Sequence, residues 1–167
     1  MPIHGLSQGS QPVMGYNAGA GKPQRVCRSI RFTTGVTLAY AAGVVLVMEL
    51  FPAALIRLFN SEAEVIAAGV PAVRLYYCMY LFMSLQMVGQ STFTALGRAK
   101  NAIFFSLFRK AIVNAPLTVL LPLCWGLGTT GVFAAEAVSQ LLGGLACFTT
   151  MYLVVYRPLK RGAWNPR

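Results

Sequence analysis

Few side chains in this sequence can do chemistry. The acids are Glu49, Glu62, Glu64 and Glu136, aspartate is absent, and His4 is the single histidine. That inventory assembles neither a Ser–His–Asp triad nor an H-E-x-x-H metal site. Cys27, Cys78, Cys124 and Cys147 have no C-x-x-C spacing, and three of them lie in apolar stretches. They read as small hydrophobic residues rather than metal ligands or disulfide partners. The expectation is therefore no enzyme activity, no metal and no cofactor. The stretch VMGYNAGAGKPQR, Val13 to Arg25, imitates a phosphate-binding loop. That loop requires glycine where Tyr16 stands and Ser or Thr where Pro23 stands, so the likeness fails at both anchors.

What remains is a set of polar groups embedded in apolar sequence. Tyr76, Met79, Met83, Gln86, Met87, Gln90 and Thr94 recur at helical spacing, which puts them on one predicted face. Amides in hydrocarbon need hydrogen-bond partners or water, and methionine adapts to irregular shapes. The stripe reads either as helix–helix glue or as the wall of a wet cavity accepting varied apolar and cationic guests. Arg109 and Lys110 lie inside another apolar stretch, where a charge costs about 2.5–3.5 kcal/mol. Backbone carbonyls, Asn114 or a lipid phosphate are their expected partners, and Arg109 is a gate candidate. Glu136 is the best-placed embedded acid; a helix start explains it through the macrodipole, with proton or cation coupling as the second reading. Arg74 reads as an interface anchor that snorkels.

These groups must be positioned by membrane helices. The chain is 56% hydrophobic and 11% charged, with mean hydropathy +0.61, whereas a soluble domain carries about 25% charged residues. Four runs satisfy the length rule of roughly 20 apolar residues per span: 32–51, 65–97, 101–125 and 130–156. A helix stub at 1–21 precedes them and a basic tail at 157–167 follows. The fold class is an all-α polytopic membrane protein, since an open sheet would leave its edge groups unsatisfied in lipid. Ser61 to Glu64 reads as a capping box opening the second span. Pro71, Pro116 and Pro122 mark expected bends. The N-terminus lacks the basic region of a signal peptide.

The +10 net charge is a topology signal. Lys22, Arg25, Arg28 and Arg31, then Arg98 and Lys100, then Arg157, Lys160, Arg161 and Arg167 all fall on one side of the alternating spans. By the positive-inside rule that side is cytoplasmic, so the loops near 22–31 and 98–100 and the C-terminus face inward. A nucleic-acid partner is unnecessary. Contact with anionic lipid at the basic face is expected.

The stretch GLSQGSQPVMGYNAGAGKPQR, followed by a long helix, resembles the end of the eighth helix of MATE (multidrug and toxic compound extrusion) transporters. Gln8, Gly9, Gln11, Pro12, Gly15, Tyr16, Asn17, Gly19, Ala20 and Arg25 carry the likeness. GQSTFTALGRAK resembles the end of the tenth helix, and SLFRKAIVNAPLTVLLP with GLGTTGVFAAEAVSQ the eleventh and the entry to the twelfth. The resemblance implies twelve helices in two six-helix lobes that rock between inward- and outward-open states, with this chain a partial C-terminal lobe from the end of helix 8 through helix 12. It implies a Na⁺- or H⁺-coupled antiporter exporting small organic, often cationic, drugs across the inner (plasma) membrane. The missing N-terminal lobe, or another chain, is then a required partner alongside the lipid bilayer, and the segment is not expected to transport alone. It also brings Gln11, Tyr16 and Asn17 toward the lobe interior, with Gly15 and Gly19 as a small-residue packing face. The chain departs from the family at Ala137 and Gln140, where a proline and an acid are frequent, and at Gln86 and Gln90, where some members carry an acid. The alternatives are a fragment of a lipid-linked sugar or polysaccharide exporter and a non-transporting membrane scaffold subunit.

Overall fold

A computed structural model describes residues 2–124 and 128–162, without the side chains of 121–130. Trp125, at the expected end of the third span, and Arg167 of the tail lie outside the described residues. The elements are α1 Pro2–Gly19, α2 Pro23–Leu50, α3 Pro52–Arg57, α4 Ala63–Tyr77, α5 Tyr80–Ala95, α6 Ala99–Leu107, α7 Ala115–Cys124, α8 Gly128–Met151 and α9 Arg157–Lys160. Two π-helical stretches, Phe108–Asn114 and Tyr152–Tyr156, join α6 to α7 and α8 to α9. Pro23–Leu50, Ala99–Leu120 and Gly131–Lys160 are each long and apolar enough to cross a bilayer, and α4 with α5 forms a fourth run bent by 42°. This is an all-α, multi-pass membrane protein. Its outer surface exposes Phe32, Leu46, Leu107, Ile112 and Val119, a distribution suited to lipid rather than water.

The glycines of the opening stretch terminate a helix. Gly21 adopts φ +64°, the Gly21 N–H donates to the Ala18 carbonyl at 3.1 Å, and the Lys22 N–H donates to Asn17 at 2.9 Å. This is a Schellman end, and Pro23 then opens α2 at a position that needs no N–H. The amides a phosphate would require are already used. Gly97 repeats the device between α5 and α6, with φ +72° and the Arg98 N–H donating to Phe93 at 2.8 Å.

Three local expectations change. The capping box at Ser61 does not form: α4 begins at Ala63 with no side-chain cap, and the Asn60 Oδ1 instead accepts from the Glu62 N–H at 2.8 Å. The N-cap position falls to Glu62, one residue past Ser61, and the Asx turn at Asn60 shapes the entry to the helix instead. The second span bends at Cys78 and Met79, while Pro71 sits inside α4. Tyr76, Tyr77 and Tyr80 crowd the break, packed at 5.2 and 5.4 Å between ring centroids. In the third span, the irregularity is the π stretch ahead of Pro116. There the Ala115 N–H reaches back five residues to Lys110, a register shift that re-pairs carbonyls near a proline lacking its own donor.

The apolar core gathers at the basic end. Met14, Val26, Ile30, Phe93, Cys147, Met151, Val155 and Leu159 are buried together there. Farther along, α8 lies directly on α5: a Cβ at Gly144 would collide with the Phe82 carbonyl, and one at Gly89 would stand 2.8 Å from the Cys147 Sγ. Small residues permit that approach where hydrocarbon provides no hydrophobic drive.

Candidate functional site

α5 packs against α8 on one side and α1 on another, and its polar residues divide between the two. On the α1 side lies a cleft of about 260 Å³, with His4, Ser7, Gln8 and Gln11 from α1 facing Met87 and Gln90 from α5. Ser106 of α6 also borders it. A second cavity of about 270 Å³ shares His4 and Met87 with the first and is lined by Tyr76, Tyr77, Tyr80 and Met83. Together they form a groove along α5, aromatic near the bend and amide-rich toward the basic end. The Ser7 hydroxyl is buried there without a protein partner, so it is available to a ligand or water. Neither lining includes a carboxylate, lysine or arginine among the described residues.

Of the residues expected to share one face of the second span, Tyr76, Met83, Met87, Gln90 and Thr94 line the groove, and Gln11 meets them from α1. Gln86 does not. It is buried, its Nε2 donates to the Phe105 carbonyl at 3.5 Å, and its Oε1 has no partner. At about 100° per residue it is rotated away from Met87 toward α6 and α8. Met79 falls at the bend, where the helical register is interrupted, and lines neither cavity. Tyr16 is 78% exposed, and Asn17 turns its amide back to the Val13 carbonyl at 2.8 Å. Both lie past the groove, at the basic end. Gly15 packs closely, with a Cβ placed 3.1 Å from the Ala95 carbonyl, whereas Gly19 faces open space. His4, Ser7 and Gln8 were not among the expected cavity residues, although their spacing with Gln11 (i, i+3, i+4, i+7) describes one helix face.

A second polar cluster joins the π stretch to α8. The Arg109 Nη1 lies 3.4 Å from the Glu136 Oε1, the Asn114 Nδ2 donates to the Glu136 Oε2 at 2.9 Å, and the Gln140 Nε2 donates to Oε1 at 3.3 Å. Arg109 is 11% exposed and Glu136 24%. A Cβ at Gly143 would stand 2.7 Å from the arginine stem, so glycine makes room for it. Glu136 therefore balances a buried guanidinium. It sits more than two turns past the α8 start at Gly128, and the macrodipole fades within one turn, so the dipole does not account for it. Lys110 is exposed. Arg74 pairs with Glu49 across α2 and α4 at 3.7 Å, in addition to its interfacial position.

The family model for MatE matches residues 1–120. This chain belongs to the MatE family. The solved MATE multidrug transporter DinF-BH is 32% identical and superposes with a TM-score of 0.81 over 94% of this chain and 34% of its own. Two further MATE relatives, multidrug resistance transporters of the MOP superfamily, share the fold. The inward-facing one has TM-score 0.85 at 16% identity, covering 96% of this chain and 37% of its own. The outward-facing one has TM-score 0.86 at 17% identity, covering 96% and 36%. This MATE chain thus spans about a third of the length of these structures. A search of curated protein sequences finds no match.

Proposed function

We propose that this MATE-family segment supplies one wall of the substrate cavity of a multidrug exporter in the inner (plasma) membrane. The observation that carries the reading is the groove between α1 and α5, where Gln11, Gln90 and Ser7 meet Met83, Met87 and Tyr76. Unpaired amides and a hydroxyl offer hydrogen bonds, while methionine and tyrosine fit apolar or cationic rings of varied shape. Such a wall suits small organic, often cationic, compounds. A second wall is needed to enclose them, provided by an N-terminal lobe or another chain. Similar superposition on inward- and outward-facing relatives, TM-scores 0.85 and 0.86, supports a segment that moves as one body in alternating access. The basic end faces the cytoplasm in this reading.

Exchange for Na⁺ or H⁺ belongs to the same proposal. The Arg109–Glu136 pair acts as a fixed clamp between α8 and the π stretch, and the coupling ion is handled with the second lobe. The test is drug-efflux range in a full-length transporter carrying this segment. Met87→Trp and Gln90→Leu should change resistance to some compounds by roughly tenfold while surface expression persists, because each good polar or packing contact is worth about 1–2 kcal/mol. Unchanged resistance to every dye and drug tried would overturn the reading.

A further inference from the structure

A third cavity, sharing no lining residue with the α1–α5 groove, lies where α2 meets the α8–α9 arm. It encloses about 430 Å³, with Arg31 and Gly35 of α2 facing Phe148, Tyr152, Tyr156 and Lys160. Its walls are aromatic and aliphatic. Tyr152 and Tyr156 stack at 5.2 Å between centroids, and the Arg157 guanidinium lies over the Tyr152 ring at 5.8 Å. Phe32, Val36 and Leu153 flank it and are exposed, so the groove opens sideways into hydrocarbon. Its mouth carries Arg31 and Lys160 at the basic end of the bundle.

No glutamate among the described residues answers those cations. Both ion pairs among the described residues, Arg74–Glu49 and Arg109–Glu136, lie elsewhere, and Glu62 and Glu64 precede or open α4 at the far end. An apolar trough with a cationic mouth at the interface matches a molecule with an acyl chain and an anionic head. Tyrosines suit the same depth, since their rings sit at headgroup level. We propose that this groove binds one anionic glycerophospholipid of the surrounding leaflet, its acyl chain along Gly35 and Phe148 and its phosphate between Arg31 and Lys160. The site is independent of the drug groove and rests only on the membrane-embedded fold.

The test is native mass spectrometry of the purified protein in detergent, titrated with dioleoyl-phosphatidylglycerol, dioleoyl-phosphatidylcholine or the free headgroup glycerophosphoglycerol. One phosphatidylglycerol should bind about tenfold more tightly than phosphatidylcholine, and the Arg31→Ala/Lys160→Ala pair should remove about tenfold, given two cations near an anionic head. Removing the same charge at Arg25→Ala/Arg28→Ala, outside the groove, should change affinity less than about twofold. Gly35→Leu separates lipid from bare anion. A side chain there meets open space and favours the helix, so the fold is kept while the acyl trough is filled and lipid binding falls about tenfold. Equal loss in the Arg25/Arg28 variant, no headgroup preference, full binding by Gly35→Leu, or glycerophosphoglycerol binding as tightly as the lipid would each overturn the proposal.

Discussion

The heart of the bundle, where α8 meets α5 and the π stretch, and its rim, where α4 meets α2 and α3, each contain an ion pair and a glycine in close contact with a neighbouring helix. At the heart, Arg109 and Glu136 are 11% and 24% exposed and share Asn114 and Gln140 as further partners. At the rim, Arg74 and Glu49 are 53% and 37% exposed at 3.7 Å, supplemented by one contact from Arg74 to the Glu49 carbonyl. Gly144 at the heart faces the backbone carbonyl of Phe82, whereas Gly69 at the rim faces the Cδ1 tip of Ile56. Similar residue pairs therefore carry very different constraints. A charge without water must be balanced by the protein, and a backbone cannot step aside as a side-chain tip can.

Four substitutions grade this contrast, read as unfolding free energies in detergent micelles. Arg109→Ala should be the most costly, about 3–5 kcal/mol, because it leaves the Glu136 carboxylate embedded and unbalanced. Gly144→Ala should follow at about 1–3 kcal/mol, since α5 and α8 must separate to admit the methyl group. Arg74→Ala at the rim should cost only about 0.2–1 kcal/mol, and less still in high salt. Gly69→Ala should be smallest, within about 0.5 kcal/mol of zero, as the helix gain over glycine offsets the shift of one Ile56 methyl. An Arg74→Ala loss matching that of Arg109→Ala would erase the distinction between heart and rim.

The helices were legible because lipid imposes length and apolarity on each crossing, and the basic segments already alternate along the chain. Local events were harder to read. The bend at Cys78 and Met79 carries neither proline nor glycine, and it lies among Tyr76, Tyr77 and Tyr80, whose rings pack against one another. Arg109 and Glu136 are 27 positions apart, and a pair of that separation exists only once α8 has folded back on the third span. The methionine and glutamine stripe was half legible. Periodicity groups Met83, Met87 and Gln90, but cannot tell which edge of the stripe turns inward, and Gln86 turned toward α6. On α1, His4, Ser7, Gln8 and Gln11 are spaced as one face, but spacing alone does not show that this face meets α5.

The account rests on the α1–α5 groove being a place where drug sits. The most direct measurement replaces Cys27, Cys78, Cys124 and Cys147 with serine in a full-length transporter, introduces Met87→Cys or Val88→Cys, and follows thiol modification with and without drug. The Cys at position 87 should react and be slowed severalfold by an exported cation, while the one at 88, beside a wild-type valine only 1% exposed, should stay unreactive. Modification at 87 that no exported compound slows, or a drug effect equal at both positions, would contradict it.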